Sequence, residues 1–284
     1  MCGMSSKSTV LLLLSLGLLL ATGCATLSPQ NGRYAAADRV AAAANLQKSY
    51  IKTASFTLTA YAKYTSEGEP LHIYIEGDGA AWHSRTWLSD DPTPKTPLVL
   101  ELAGEDPAAN VAYLARPGQY AASGIPGCNK AYWSEKRFAG PVVPAINKAI
   151  DVLREQARAK EIHLIGYSGG AAISVLIAAQ RNDVISLRTV AGNLDPEAIN
   201  RYHHVSPLKD SPNPMDAAEK LRKLPQRHFV GARDLVVPLR IAQSFLKRQG
   251  RRDESGITVV ENAGHARGWR EHWKTLLAVP LTPQ

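Results

Sequence analysis

Cysteine is scarce in this chain, with three residues in 284, at positions 2, 24 and 128. So few cannot build a disulfide scaffold. With no His-x-x-x-His pair and no cluster of acids, no metal site is legible either. Long apolar stretches are also missing. The best of them, Val10 to Leu20, has 11 residues, too short to span a bilayer. Runs of like charge are absent too. The net charge is +8, but the basic residues are scattered and never interleave with aromatics, which gives nucleic-acid binding no support. A mild attraction to an anionic surface is the most the charge suggests. There is no internal repeat and no linker-like stretch in the middle. With 45 % hydrophobic residues, the chain is expected to form one domain behind an N-terminal targeting segment.

That segment has a positive start at Lys7, the short apolar run, and then Leu20-Ala21-Thr22-Gly23-Cys24. Small residues leading directly into a cysteine resemble the lipobox of bacterial lipoproteins. The resemblance implies that residues 1–23 are removed and that Cys24 receives a diacylglyceryl group and an acylated amino terminus. Residues 24–50 would then be an alanine-rich tether containing a helix from Ala35 to Gln47. Ala25 replaces the aspartate that marks inner-membrane retention, so the expected address is the bacterial cell envelope, lipid-anchored in the outer membrane and facing the periplasm. An ordinary secretion signal is the plainer alternative. Each buried CH₂ contributes about 0.8 kcal/mol, so two or three acyl chains would hold the protein permanently. Loss of Lys7 leaves a charge of +7, and Cys128 has no intramolecular partner once Cys2 is cleaved away and Cys24 is acylated.

From Ser55 the pattern becomes regular. Ser55 to Tyr61 and His72 to Glu76 alternate with period two around a Gly-Glu-Pro turn, which predicts a hairpin. Strand and helix signals then alternate: strands at Val111–Ala115, Glu161–Ile165, Val184–Val190, Arg227–Val230 and Ile257–Val260, and helices at Val142–Ala159, Ala171–Ala179, Leu239–Arg248 and Trp269–Ala278. An antiparallel start followed by repeated β-α units predicts a mostly parallel sheet with helices on both faces. Three long connections, about 77–97, 116–140 and 193–225, all follow strands and are expected to rise over the carboxyl edge as binding walls. They hold Trp82, Trp87, Tyr120, Trp133 and Tyr202. The last is read as a short lid insertion in a domain covering 51–284.

Gly166-Tyr167-Ser168-Gly169-Gly170 lies between the apolar strand and the apolar helix. A Gly-x-Ser-x-Gly in that setting is a nucleophile elbow, whose turn leaves no room for side chains two residues before and after the serine. A serine hydroxyl needs a base, and the chain supplies one downstream. Asp234 follows the strand ending near Val230, and His265 follows the last strand. The order Ser168, Asp234, His265 is similar to that of the α/β-hydrolases, and the match covers roughly residues 55 to 280. Asp195 also follows a strand and is the rival acid. His203 and His204 are rival bases in the lid, and His228 reads as structural. The resemblance implies an oxyanion hole from the Gly169 amide and from the turn Gly77-Asp78-Gly79, with the Asp78 amide first and Gly79 next. That turn replaces the usual His-Gly, and the Asp78 side chain is expected to order the loop. Trp82, Tyr120 and Tyr167 are the expected substrate contacts.

Ile75-Glu76-Gly77-Asp78-Gly79-Ala80-Ala81-Trp82, Leu114-Ala115-Arg116-Pro117-Gly118-Gln119-Tyr120 and Ala191-Gly192-Asn193-Leu194-Asp195 resemble a group of proteobacterial α/β-hydrolase lipoproteins. The resemblance implies a cysteine at the place of Gly118, paired with one matching Cys128. Here Cys128 lacks that partner and is either a small buried hydrophobe or a free, reactive thiol. The expected activity is that of a lipid-anchored serine hydrolase acting on an ester or related acyl bond of a small or lipid-like substrate. No cofactor and no metal are implied, and the oligomeric state is left open. A peptidase or amidase on the same residues, and a non-catalytic binding module of the same fold, are the alternatives.

Overall fold

The structure, a computed structural model, describes residues 29–121, 129–251 and 253–281. The signal segment, Cys24 and Cys128 lie outside them. Helix α1 (Pro29–Ala43) leads into strand β1 (Gln47–Lys52), β2 (Thr57–Tyr64) and β3 (Leu71–Ile75). Next come α2 (Leu98–Gly104), β4 (Asn110–Leu114), α3 (Val142–Ala157), β5 (Ile162–Tyr167) and α4 (Gly169–Ala178). The chain ends with β6 (Val184–Val190), α5 (Pro196–His203), β7 (Gln226–Gly231), α6 (Arg240–Arg248), β8 (Ile257–Val260) and α7 (Trp273–Ala278).

All eight strands form one sheet in the order β1-β2-β4-β3-β5-β6-β7-β8. β2 runs antiparallel to β1 and β4, and every pairing from β4 to β8 is parallel. The antiparallel start therefore exists, but with different members from those expected. β2 pairs with β1 (Ile51 opposite Leu58) and β4 (Ala62 opposite Ala112), whereas β3 lies between β4 and β5. The reason is burial. Leu71, Ile73, Tyr74 and Ile75 are all fully buried, which suits a central strand covered on both faces. β1 was hidden because Gln47-Lys48-Ser49-Tyr50-Ile51-Lys52 buries only Ile51, the mark of a polar edge strand. α1 begins at Pro29, before the expected Ala35, and ends at Ala43 rather than Gln47 because β1 claims Gln47.

The two faces of the sheet carry separate cores. One packs Leu58, Ile73 and Leu164 against α3, α4 and α6, through Ile146, Ile173 and Phe245. The other packs Tyr74, Tyr113, Ile165 and Phe229 against α1, α2 and α7, through Ala37, Leu100 and Trp273. Because β3 to β8 are parallel, the loops after β3, β5, β7 and β8 emerge at one carboxyl edge.

Candidate active site

The turn from β5 into α4 places Ser168 in a conformation L-residues rarely adopt, with φ 49° and ψ −118°. Such a backbone stores about 1–3 kcal/mol and persists only where the surroundings impose it. Close approach accounts for the flanking glycines. A Cβ on Gly166 would stand 2.5 Å from the Ala171 Cα, and one on Gly170 would stand 2.2 Å from the Ile75 carbonyl oxygen. The Ser168 amide donates to Val190 at 2.9 Å and its carbonyl accepts from the Asn193 amide at 3.0 Å, which fixes the turn to β6 and its loop.

The Ser168 hydroxyl lies 3.0 Å from His265 Nε2, and His265 Nδ1 lies 2.9 Å from Asp234 Oδ2. A carboxylate only accepts, so Nδ1 carries the proton and Nε2 is left free to accept from the serine. The other Asp234 oxygen accepts from the amides of Val236 and Val237, each at 2.8 Å, which fixes the carboxylate. Tyr167 Oη and Trp269 Nε1 both donate to the His265 carbonyl at 2.9 Å and hold its loop. The other candidates stand elsewhere. Asp195 caps α5 by accepting from the Ala198 amide at 3.0 Å. His203 donates from Nε2 to the Val236 carbonyl at 2.8 Å, and His204 is the exposed left-handed residue that ends α5. His228 is fully buried beside Thr189 and Phe245, and burial pulls its pKa down to about 3, which keeps the ring neutral.

The turn after β3 brings Gly77, Asp78 and Gly79 against the elbow. The amide of Gly77 is taken by Glu76 Oε1 at 2.8 Å and that of Ala80 by the Pro92 carbonyl at 2.9 Å. Those of Asp78, Gly79 and Gly169 make no hydrogen bond among the described residues, the state required of oxyanion donors. The Asp78 carboxylate meets Arg116 (Nη1 to Oδ1, 2.5 Å) and forms an ion pair with Arg137 (Nε to Oδ2, 3.3 Å) that lacks hydrogen-bond alignment. Burial pushes its pKa up, but the Arg137 and Arg116 guanidiniums outweigh burial and hold it below the usual carboxylate range. No local pattern marks these arginines as partners, because 38 and 59 residues separate them from Asp78. Gln119 completes the cluster by accepting from the Arg116 amide at 2.9 Å and donating to the Gly77 carbonyl at 3.0 Å. Gly118 has φ +83°, and a Cβ there would press within 2.8 Å of the Trp133 ring.

Glu76, also unforeseen, is a buried carboxyl in the wall of the site. Burial pushes its pKa up to about 7, against hydrogen bonds from the Gly77 amide and Tyr113 Oη and the charge of Arg116.

Ser168 and His265 open into a cleft of about 440 Å³ whose walls include Trp82, Leu98, Tyr167 and Val236. Trp82 and Tyr167 therefore line the cleft. Tyr120 does not: it is fully buried, packed against Tyr34, Tyr61 and Tyr113, and lines no part of the cleft. Its conspicuous place after Gln119 reflects core packing. The loop 77–97 forms much of the wall, 116–140 contributes Arg116 and Arg137 from behind, and none of the lining comes from 193–225. A larger cleft of about 750 Å³ at the amino edge is lined by Asn45, Lys63 and Gln156 among others, with no histidine or carboxylate to do chemistry.

No protein-family model matches the chain, and no curated protein matches it in sequence. Solved structures do resemble it. Est1E of Butyrivibrio proteoclasticus with ferulic acid bound superposes with a TM-score of 0.57 at 17 % identity, over 81 % of this chain and 97 % of that one. The Pyrococcus furiosus esterase Pf2001 gives 0.56 at 15 %, over 82 % and 88 %. The acylaminoacyl peptidase of Pyrococcus horikoshii gives 0.58 at 13 %, over 82 % of this chain but 40 % of its own. With the strand order and the strained Ser168 turn, these superpositions establish that the chain has the α/β-hydrolase fold.

Proposed function

We propose that this protein is a serine hydrolase that cleaves an ester or related acyl bond, held at the bacterial outer membrane by lipid on Cys24 and facing the periplasm. The observation that carries the hydrolase reading is the unbroken chain from Ser168 Oγ through His265 to Asp234, at 3.0 and 2.9 Å. Ser168 attacks the acyl carbon while His265 Nε2 takes its proton. Asp234 keeps the imidazole in the working tautomer and stabilises the imidazolium. The amides of Gly169 and Asp78 receive the oxyanion. His265 then protonates the leaving group, and water activated by the same nitrogen releases the acid. The esterases among the structural neighbours favour an ester, and the cleft wall of Trp82, Leu98 and Val236 suits an apolar acyl or alkoxy group.

The decisive experiment is labelling with a fluorophosphonate probe. Wild type should be labelled and Ser168→Ala should not, with an unchanged thermal midpoint in the mutant. Equal labelling of both would end the assignment. Matched ester and amide substrates then separate an esterase from a peptidase.

A further inference from the structure

Nine large hydrophobic side chains are exposed among the described residues, and six of them, Trp82, Trp87, Tyr202, Val205, Leu235 and Val236, lie in the connections after β3, β6 and β7, around the cleft at the carboxyl edge. Tyr50, Tyr64 and Val259 are scattered elsewhere. The six belong to segments that are tied together. His83 and Trp87 stack with ring centres 4.7 Å apart. Arg85 Nη2 donates to the His203 carbonyl at 3.2 Å, and the His203 ring donates to the Val236 carbonyl at 2.8 Å. Trp82 and Val236 form the cleft wall itself, while Trp87 and Leu235 stand outside it, 66 % and 77 % exposed. A grouped apolar rim on a soluble surface marks an interaction site.

The charge on this rim selects the occupant. Arg85, Lys95, Arg233 and Arg240 are exposed here and pair with no carboxylate among the described residues. Of the acids beside them, Asp90 and Glu197 each pair with their own cation, Lys130 and Arg201, and Glu261, directly after β8, is exposed without one, so the cations outnumber it four to one. Tryptophan with aliphatics inside a basic border matches the boundary between headgroups and acyl chains of an anionic bilayer.

Topology adds a second argument. β1 runs antiparallel to β2, and β2 antiparallel to β4, so β1 starts at the amino edge. α1 leads into it and therefore begins toward the carboxyl edge. Arg33, one turn into α1, confirms this by donating to the Thr93 carbonyl at 2.7 Å and pairing with Asp91 at 3.1 Å. The next residues, Pro94, Lys95 and Thr96, line the cleft. The chain thus enters the fold beside the mouth of the site, and Cys24 lies only five residues before Pro29.

We infer that the mouth of the cleft docks on an anionic lipid surface, with Trp87 and Leu235 entering the interface, so that the protein draws an ester from the membrane rather than from solution. The choice of an ester rests on the hydrolase reading and the argument from Cys24 on the lipid-anchor reading; the apolar rim with its basic border rests on neither.

The test uses the full chain on vesicles of phosphatidylcholine, with and without phosphatidylglycerol. Of five tryptophans, Trp133, Trp269 and Trp273 are buried, so quenching by brominated acyl chains reports Trp82 and Trp87. Quenching should appear, grow with phosphatidylglycerol, and shrink in Trp87→Phe. Trp87→Ser/Leu235→Ser, checked for folding by circular dichroism, should hydrolyse a vesicle-embedded ester about tenfold more slowly than wild type, as expected for losing two apolar anchors. A dissolved short-chain ester should be cleaved at the wild-type rate. Absence of quenching in vesicle-bound protein overturns the inference, as does a double variant that keeps full activity on the embedded ester. A wild-type dimer in solution that the double variant dissolves would assign the rim to a second copy instead. Failure of fluorophosphonate labelling would defeat the hydrolase reading alone, and the quenching would still decide the docking.

Discussion

The Asp78 carboxylate and Gly169 face each other so closely that a methyl group on Gly169 would stand 2.1 Å from Asp78 Oδ1. The two segments that offer oxyanion donors are thus in direct contact, one from the loop after β3 and one from the first turn of α4. A carboxylate here would oppose a developing negative charge. Arg116 and Arg137 cancel it and turn it into a fastener for the loop. Gly169→Ala should therefore displace the Asp78 turn and lower kcat by about 10²–10³, the loss associated with removing one oxyanion donor. KM should change little in steady-state hydrolysis of an activated ester. An alanine variant with wild-type kcat would mean that this turn supplies no donor.

The fastener has its own signature. Asp78→Asn leaves the buried Arg116 guanidinium without its counter-charge, which should destabilise the fold by about 3 kcal/mol in urea unfolding. Because its folded pKa is depressed, the contribution of Asp78 is present above the ordinary carboxylate range and fades as pH falls through the folded value. The gap between wild type and Asp78→Asn should therefore narrow in acid. A gap that widens in acid would contradict the ion-pair account.

Glu76 behaves in the opposite sense. With its folded pKa pushed up to about 7, it favours the native state most below the ordinary carboxylate value, and that favour is lost as pH rises to 7. Glu76→Gln should thus gain relative to wild type by about 2–3 kcal/mol between pH 5 and pH 8, the free-energy equivalent of the shift. Denaturant unfolding at the two pH values reads it, and a gap independent of pH would show that the carboxyl is ionised throughout.

The acid that orients His265 can be separated from its rival by kinetics. Asp234→Asn should lower kcat by about three to four orders of magnitude, since losing the acceptor for Nδ1–H cost about 10⁴ in the serine protease taken as the template for this triad. Asp195→Asn keeps a side-chain oxygen to cap α5 and removes only a charge away from His265, so it should lower kcat no more than about tenfold. Reversal of the two results would place the acid after β6.

The anchor is a separate question from the chemistry. Wild type should incorporate labelled palmitate and partition into detergent, and Cys24→Ser should do neither. Incorporation that survives in Cys24→Ser would defeat the lipid-anchor reading without touching the hydrolase reading.

Local chemistry made part of this molecule legible in its residues. The Ser168 elbow could be read because its flanking glycines answer a demand made within five residues of chain. The alternation of strands and helices could be read because burial on two faces imposes its own period on each element. Asp234 and His265 followed from strand ends at the right spacing. What could not be read depends on which strands become neighbours. β3 leaves its apparent hairpin because its side chains are buried on both faces, and polar β1 takes the edge. Tyr120 sits in the core although it follows a loop motif, because three tyrosines from α1, β2 and β4 converge on it. Arg116 and Arg137 reach Asp78 only after β3 and β4 pair and the loop beyond β4 folds back over the elbow. Such contacts join residues far apart in sequence, so their energy appears only when the sheet is assembled, and no local pattern of residues encodes it.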